Sequence, residues 1–349
     1  MASYATHDPS FRRSLNNVRS TGSSRSHNST VLTRAAASHT ADPSSFAYST
    51  VRERWPKILA NICESLEQTF RNTSEISPED LTAGRRIVEQ VEFLKRDLSE
   101  DARLEPLPDD GGVDIADWNA DLARLGGVTW RNAPWLFSEC YMYRLIHTFF
   151  QRSTPLWQWY DCFEASKVDS ITKSKAATLE LAVRVLPIFV SPARKTLDAE
   201  ARKALFEEMI DISLWGNATD LSLLTTVSLS ELQSRQGKAA REASKEKILV
   251  DNTDAAWQFL SSREGKTGEV HMVLDNAGFE LLTDLVLAGY LLSGGFARKV
   301  VLHGKRMPWF VSDVVPHDLD DLIDGLAQGH YWEGELRSEE RQALQDLGR

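Results

Sequence analysis

Four polar residues in the last quarter of the chain have the types and spacing of a metal site. Asp275 and Asn276 are consecutive, Glu280 follows about one helical turn later, and Asp313 comes after the next apolar run. Carboxylate and amide oxygens are suitable ligands for a hard divalent cation such as Mg²⁺ or Mn²⁺. A cation held there would polarise a phosphate oxygen and offset the negative charge of the transition state. The pattern therefore predicts phosphoryl chemistry, with Asp275, Asn276 and Asp313 as the catalytic residues.

A strand–helix–strand pattern places these residues at one edge of a sheet. Val270 to Leu274 is a short β-branched run, typical of a strand buried on both faces, and Lys299 to Leu302 is a second such run. Between them, apolar residues recur at helical spacing over 279–293. In such a unit, ligands bind at the carboxyl ends of the parallel strands. The free N–H groups at the start of the helix would also favour a bound phosphate.

Turn and capping chemistry offers another interpretation of the same residues. An Asp-Asn-x-Gly sequence before a helix is also what a helix cap or a turn requires, and Glu280 is by default a surface residue. His271 and His303, one on each strand, are more often core or edge residues than ligands, and His317 in a loop is weak evidence for a site. The chain contains no glycine-rich phosphate loop and no Gly-x-Ser-x-Gly elbow, which argues against those enzyme classes.

Composition limits the classes of function. The 349-residue chain carries a formal net charge of −10 and has a pI of about 5.4, which argues against a nucleic-acid-binding surface. No apolar run approaches the roughly 20 residues that span a bilayer, so we expect no membrane segment. Cys63, Cys140 and Cys162 are odd in number and lack metal-ligand spacing. They predict buried thiols in a reducing, intracellular compartment.

The first 44 residues differ from the rest of the chain. Residues 1–44 are rich in Ser, Thr, Ala and Arg, with Asp8 and Asp42 as the only acids, so we expect a disordered tail. Five arginines in an acid-poor leader also fit a mitochondrial transit peptide, but the apolar face that such a peptide needs is hard to find. We therefore expect a cytoplasmic protein, with the nucleus as a second compartment.

Periodicity divides the remainder of the chain into two parts. Residues 45–230 have a mainly helical pattern, and residues 245–349 contain the α/β pattern with the metal site. Ser77 followed by Pro78 is a typical helix start, and Ile248–Val250 has the composition of a first strand. We predict an α/β protein, α+β overall, in which a helical N-terminal part packs on an α/β/α three-layer sandwich with a mainly parallel sheet.

Glu139 and Arg144 are two charged residues in an aromatic stretch of the helical part, in a helix predicted to end near Phe150. Two interpretations remain open for them. The first is a structural ion pair or a solvated face, and the second is the lining of a pocket. Only the second would give these residues a role in binding.

Several motifs, spread from about residue 45 to residue 332, occur together in one known family. The longest are Leu274–Leu285 and Pro308–Asp313. Shorter ones are Ser45–Tyr48, Ala133–Phe137, Glu139–Arg144, Leu214–Asn217 and Asp220–Ser222. With these motifs the chain resembles the damage-control phosphatase family, long called domain of unknown function 89. The resemblance is closest to the branch of sugar-phosphate phosphatases, which was also named acidic residue methyltransferase.

The resemblance implies a fold, a reaction and a set of residues. The fold is a helical part beside an α/β/α sandwich, and the metal ligands of the family correspond to Asp275, Asn276 and Asp313. These residues and Glu280 would contact the substrate, a phosphorylated sugar such as fructose 1-phosphate, with Mn²⁺, Ni²⁺, Co²⁺ or Mg²⁺ as cofactor. The alternative activity is an S-adenosylmethionine-dependent protein carboxyl methyltransferase, but this sequence lacks a glycine-rich loop after a first strand to hold that cofactor.

One motif of the family is missing from this sequence. Family members continue beyond the matched region to an Arg-Thr-x-Lys motif whose lysine holds the phosphate, and no Arg-Thr-x-Lys occurs here. We therefore expect a C-terminally truncated fragment, an incorrect gene model or an inactive family member, with weak activity of this chain. An exposed sheet edge is expected where further strands would pair.

Overall fold

The computed structural model describes the chain in the ranges 38–73, 76–190, 197–217, 248–262 and 268–348. Ser38–Arg349 forms one compact unit. The predicted tail up to residue 37 lies outside the described residues, as does the predicted boundary between residues 230 and 245.

Residues 38–44 are ordered, although we predicted that the tail extends to residue 44. The backbone N–H of Trp135 donates to the Ser38 carbonyl at 2.9 Å, and the buried Thr40 hydroxyl donates to the Trp130 carbonyl at 3.0 Å. These hydrogen bonds satisfy polar groups that would otherwise be buried without partners. They attach the segment to the helical part, so the predicted disorder is wrong here.

Six helices form the N-terminal part of the described chain. The predicted start at Ser77 is confirmed, because its hydroxyl accepts a hydrogen bond from the Asp80 N–H at 3.0 Å and Pro78 opens the helix. The helices are α1 (Phe46–Ser49), α2 (Trp55–Asn72), α3 (Pro78–Glu100), α4 (Ile115–Leu125), α5 (Trp135–Gln151) and α6 (Pro155–Gln158), with a π-helical turn at Thr50–Arg54.

The apolar faces of these helices share one hydrophobic core. Trp55 and Ile62 of α2 are completely buried in it, and burial of such side chains contributes roughly 1.5–3 kcal/mol each. Residues from much later in the chain join this core. The ring of Tyr143 on α5 lies 5.7 Å from the ring of Trp309 and 5.2 Å from that of Phe310. The segment that leads to the last predicted metal ligand is thus anchored in the helical part.

The second part of the described chain combines helices with a small sheet and has its own core. Leu181 and Phe206 are buried in this core. The helices that carry them therefore pack with the sheet, although both lie within residues 45–230, the predicted helical part. None of the described helices combines the length and apolar character needed to cross a bilayer. The elements are α7 (Glu164–Lys173), α8 (Lys175–Val190), α9 (Ala199–Leu214), α10 (Thr253–Ser261), β1 (Glu269–Val273), α11 (Phe279–Ser293), β2 (Lys299–His303), α12 (Pro316–Gln328), a 3₁₀ turn (His330–Trp332) and α13 (Ser338–Leu347).

The strands β1 and β2 are parallel neighbours joined by α11. Glu269 lies opposite Lys299 and Val273 opposite His303. This is the βαβ unit that the change of periodicity predicted. The predicted fold class, an α/β fold with a parallel sheet and a helical N-terminal part, is confirmed.

One face of the sheet is open to solvent. The prediction that the strand at Val270–Leu274 is buried on both faces is therefore wrong. Val270 and Met272 pack against the core, whereas Val273 is 83% exposed. The open face also carries His271 and His303, whose stacked rings lie 5.1 Å apart. An apolar run predicts a strand but not how many neighbours cover it, and among the described strands β1 pairs only with β2.

Residues 248–250 do not form the predicted first strand. They lie in an irregular segment before α10, and Leu249 is 99% exposed. A strand needs a neighbour to satisfy its backbone N–H and C=O groups. No described strand lies beside this segment, so its apolar composition alone does not make it a strand.

Candidate active site

The turn after β1 pairs with the loop before α12. The backbone N–H of Val314 donates to the Asp275 carbonyl at 2.8 Å, and Asn276 and Asp313 form an isolated antiparallel bridge. Both segments leave the carboxyl ends of parallel strands, where ligands bind in α/β folds. The structure thus brings Asp275, Asn276 and Asp313 together, although 37 residues separate the last two along the chain.

Gly278 links this turn to α11 in a conformation that other residues rarely adopt. Its φ is 77° and its ψ is −133°, and a Cβ atom there would lie 2.9 Å from Oγ of Ser170. Gly278 is itself the N-cap of α11, and no side chain donates or accepts a capping hydrogen bond. The alternative that Asp275 and Asn276 act as helix caps is therefore not supported.

A strained turn delivers the third predicted ligand. Phe310 and Val311 have φ values of 46° and 75°, and the left-handed region costs a β-branched residue on the order of 1–3 kcal/mol. Both residues pack against the core of the helical part, which holds them in this conformation. Strain of this kind concentrates at functional sites, and here it positions Ser312 and Asp313.

The side-chain amide of Asn276 is fixed by three neighbours. Nδ2 of Asn276 donates to Oε2 of Glu280 at 2.8 Å and to Oδ2 of Asp275 at 3.2 Å. Oδ1 of Asn276 accepts a hydrogen bond from the Ser312 hydroxyl at 2.6 Å. An amide oxygen has two lone pairs, so Oδ1 can accept this hydrogen bond and also coordinate a cation. The network therefore orients Asn276 as a metal ligand needs to be oriented.

Asp313 is a buried carboxylate with an unsatisfied oxygen. The residue is 3% exposed, and its Oδ2 forms an ion pair with Nζ of Lys305 at 2.9 Å but accepts no hydrogen bond of acceptable geometry. The pKa of Asp313 is raised overall, mainly by burial and further by the charge of Asp275. Lys305 opposes this rise through its contact with the carboxylate and its positive charge. A buried carboxylate needs a positive partner. Lys305 supplies one in this structure, and a divalent cation could take its place.

The three residues together fit a hard divalent cation. They offer two carboxylates and one amide oxygen, the ligand types of Mg²⁺ and Mn²⁺ sites. Asp275 is exposed and Asp313 is buried, which gives the site one solvent-facing side for a substrate. The charge of Asp275 also contributes to the raised pKa of Asp313.

A cavity of about 170 Å³ opens beside the same turn. Asn276 and Glu280 line it on one side, Ser312 lines it from the loop before α12, and Lys167 and Ser170 line it from α7. Burial raises the pKa of Glu280, whereas hydrogen bonds from Asn276 lower it. Glu280, the residue predicted to contact the substrate, therefore lies at the wall of a cavity next to the predicted metal ligands.

A second acidic cluster borders this cavity, and the sequence did not reveal it. Asp161, His317 and Asp318 each offer a ligand atom within 4.8 Å of the others. The buried Lys167 lies among them, with its Nζ 2.8 Å from Oδ2 of Asp161 and 2.7 Å from Oδ2 of Asp318. Because this ammonium group pairs with both carboxylates, the contacts favour a structural ion network over a second metal site.

The sequence carries one signal for this ion network. Phe163, Lys167 and Ile171 recur every four residues, and all three are buried. A lysine on a buried helix face needs an acidic partner, but spacing does not show which one. Burial raises the pKa of Asp161, and hydrogen bonds from His317 and Lys167 outweigh it, so the pKa of Asp161 is lowered. Asp161 in turn raises the pKa of His317.

The charges of the aromatic stretch in α5 have separate structural partners. Arg144 is 2% exposed and donates to Asp110 at 2.7 Å and to Asp114 at 2.8 Å. Glu139 forms an ion pair with Arg54 at 3.5 Å. Glu139 and Arg144 thus do not pair with each other, and neither lines the cavity beside the metal ligands. The contacts favour the structural interpretation of both residues.

Comparison with known proteins identifies the family. The sequence profile of the damage-control phosphatase ARMT1-like domain matches residues 50–348. Proteins named damage-control phosphatase ARMT1 from Macaca fascicularis, Mus musculus and Bos taurus are 34%, 35% and 36% identical to this chain over 309, 304 and 306 residues. The alignments cover 83%, 82% and 82% of this chain and 68%, 66% and 66% of those proteins, so the chain spans about two thirds of their length. These matches support a phosphatase role, and they show that the chain belongs to the damage-control phosphatase family.

Proposed function

We propose that this protein is a metal-dependent phosphatase of small phosphorylated sugars, with Asp275, Asn276 and Asp313 as the metal ligands. The observation that supports this assignment is the pairing of the two strand-end loops at Asn276 and Asp313, which brings the predicted ligands together around the buried Asp313 carboxylate. Carboxylate and amide oxygens in one place suit a hard divalent cation. Of the metals implied by the family resemblance, Mg²⁺ and Mn²⁺ suit an all-oxygen ligand set best.

The residues around the site have separate roles in the hydrolysis. In the reaction a water oxygen bonds to phosphorus, the bond between phosphorus and the sugar oxygen breaks, and a proton from the water passes to that oxygen, so that the products are the free sugar and inorganic phosphate. The bound cation would polarise a phosphate oxygen and offset the charge of the transition state. Lys305 contributes a second positive charge at Asp313, and the first N–H groups of α11 have no partner within the helix and can hold phosphate oxygens. Glu280 and Ser312 keep the Asn276 amide oriented.

The proposal is tested by assaying the full chain with fructose 1-phosphate and Mn²⁺. Asp275→Ala and Asp313→Asn should each lower the turnover at least about 100-fold, because each removes a charged metal ligand. Calorimetric titration with Mn²⁺ should show the same loss of binding without depending on turnover. Asp169→Ala is the matched control, because Asp169 is an exposed acid that pairs, within the described part of the chain, with Lys173 on the same helix.

Three outcomes would contradict the proposal in different ways. Equal activity of Asp275→Ala and the wild-type chain would refute the assignment of the metal ligands. Neither turnover nor Mn²⁺ binding by the folded wild-type chain would refute the phosphatase function itself. Calorimetric binding of S-adenosylmethionine without any divalent metal would instead support the carboxyl methyltransferase.

A further inference from the structure

We infer that the cavity beside Asn276 binds the hydroxyl-bearing part of the substrate, and that Ser166 and Ser170 of α7 supply its hydrogen bonds. The inference rests on the proposed function, because it requires the phosphate to lie at Asp275 and Asp313. It adds the residues that would recognise the sugar.

The position of the cavity links it to the metal ligands. It lies between α7, the turn at Gly216 and Asn217 after α9, and the start of α11. Asn276 lines the cavity and also donates to the Asp275 carboxylate at 3.2 Å. A small molecule in the cavity can therefore also reach the Asp275 carboxylate. The volume of about 170 Å³ is below the roughly 300–1,000 Å³ of pockets for drug-sized ligands, which suits a small substrate.

Hydroxyl groups on one helix face dominate the α7 wall. Ser166, Ser170 and Ser174 all line the cavity, and their four-residue spacing places them on one side of the helix. The Ser174 hydroxyl donates to the Ser170 carbonyl at 2.8 Å. The hydroxyls of Ser166 and Ser170 make no hydrogen bond to any part of the chain that the structure describes. Because a hydroxyl both donates and accepts, these two groups complement the hydroxyls of a sugar.

The exposed side chain of Ser170 lies beside the turn that carries Asn276. Because a Cβ atom at Gly278 would lie 2.9 Å from Oγ of Ser170, α7 and the turn approach each other as closely as a glycine permits. The hydroxyl therefore lies next to a residue that is two positions from Asn276. The Glu280 carboxylate on the same wall adds an acceptor.

The charge balance of the cavity favours a neutral group over a second phosphate. Among the described residues of its lining, Lys167 is the only cation, and its ammonium group is already paired with the carboxylates of Asp161 and Asp318. Glu280 brings a carboxylate to the same wall. Within this described lining an anionic group would therefore find no free positive side chain, whereas a polyol would find hydroxyl and amide partners.

The experiment compares two substrates that share the phosphate and differ in the alcohol. Ser166→Ala/Ser170→Ala should lower kcat/KM for fructose 1-phosphate about 10- to 30-fold, the effect of losing two ordinary hydrogen bonds. For p-nitrophenyl phosphate, which has no sugar hydroxyls, it should change kcat/KM by less than about twofold. Alanine is a strong helix former, so α7 should remain folded. Thr172→Ala is the control, because Thr172 lies outside the lining and its hydroxyl donates to the Val168 carbonyl.

Failure of the inference and failure of the proposed function give different results. Equal loss on both substrates, or no loss on either, would overturn the inference while leaving the phosphatase intact. If the wild-type chain hydrolyses neither substrate, the proposed function fails, and calorimetry with fructose 1-phosphate and Mn²⁺ decides the inference. Weaker binding to the double variant than to the wild-type chain would then support it, and equal or absent binding would overturn it.

Discussion

The ammonium nitrogen of Lys305 lies 2.9 Å from Oδ2 of Asp313, so a buried predicted metal ligand is paired with a lysine whose side chain is 40% exposed. A metal ion and an ammonium group cannot both occupy the same face of one carboxylate oxygen, because their charges repel. When the site binds a cation, Lys305 must therefore move away from Asp313. Its long side chain and partial exposure allow this movement and leave the ammonium group free for a phosphate oxygen.

Replacing Lys305 should separate metal binding from catalysis. In Lys305→Met we expect Mn²⁺ to bind about 3- to 10-fold more tightly, because the competing cation is gone, which corresponds to about 1 kcal/mol. The same variant should lose about tenfold or more in kcat/KM, since one positive charge near the phosphate is removed. Calorimetry measures the first effect and the phosphatase assay measures the second.

Lys299→Met is the control for this substitution, because Lys299 lies on β2 and pairs with the exposed Glu269 at 3.4 Å. Lys299→Met should change neither the affinity for Mn²⁺ nor kcat/KM. Unchanged or weaker Mn²⁺ binding in Lys305→Met would show that the lysine does not compete with the metal ion at Asp313.

Gly278→Ala should destabilise the protein more than an ordinary left-handed glycine does. At φ 77° and ψ −133° the backbone is accessible almost only to glycine, and the new methyl group would meet the Ser170 hydroxyl. We expect a loss of more than about 2 kcal/mol in the free energy of unfolding. Gly126→Ala should cost only about 1 kcal/mol, because Gly126 has φ 74° and ψ 36° with no atom near its Cβ position.

Denaturant unfolding of the two glycine variants supplies the comparison. Equal losses for both would mean that the contact with Ser170 and the unusual ψ contribute nothing beyond the positive φ. A larger loss at Gly278 would support a turn that is held rigidly between α7 and α11.

The sheet edge with the proposed site was predictable because its determinants are local in sequence. The change from a short apolar, β-branched run to a helical pattern around Asp275 marks the end of β1 and the start of α11, and the same edge must receive the residues after β2. Periodicity therefore predicted that Asp275 and Asp313 lie near each other. Periodicity did not predict that Lys305 pairs with Asp313, because a lysine in a polar stretch is normally a solvated surface residue.

The remaining features depend on contacts between distant segments. Lys167 finds its second carboxylate partner 151 residues away in Asp318, and no spacing rule connects such positions. The burial of β1 was overestimated for a similar reason, since the residues of a strand do not show which elements cover it. The Ser166 and Ser170 face of α7 is visible as a four-residue repeat, but only the fold shows that it borders a cavity.

Arg144 provides a test of the structural interpretation of the charges in α5. Asp110 is 1% exposed at its side chain and depends on Arg144 for its charge partner. Burial raises the pKa of Asp110, but hydrogen bonds from Arg144 outweigh it, so the pKa of Asp110 is lowered. Arg144→Met should destabilise the protein by about 3–5 kcal/mol, because it leaves a buried carboxylate without compensation. Denaturant unfolding measures this loss.

Two comparisons distinguish this role of Arg144 from a binding role. The double variant Arg144→Met/Asp110→Asn should recover part of the lost stability, since it removes the unpaired charge. Arg124→Met, which breaks the exposed pair with Asp121, should change stability by no more than about 1 kcal/mol. A raised KM for fructose 1-phosphate in Arg144→Met, at full stability, would instead support the pocket-lining interpretation.

His317 should make the stability of the protein fall as the pH rises above about 6.5, the ordinary pKa of a histidine. Its pKa is raised above the ordinary 6.5 mainly by Asp161, with Asp318 adding to the effect and Lys167 opposing it. A raised pKa in the folded state means that this stabilisation is complete below about pH 6.5 and is lost as the pH rises through the folded value. Replacing His317 with Gln should therefore lower the Tm by about 1–2 °C at pH 6, a small effect because the side chain is 42% exposed. Thermal unfolding of the two proteins between pH 6 and pH 9 should show this difference shrinking, whereas a constant difference would mean that protonation of His317 contributes nothing to the ion network.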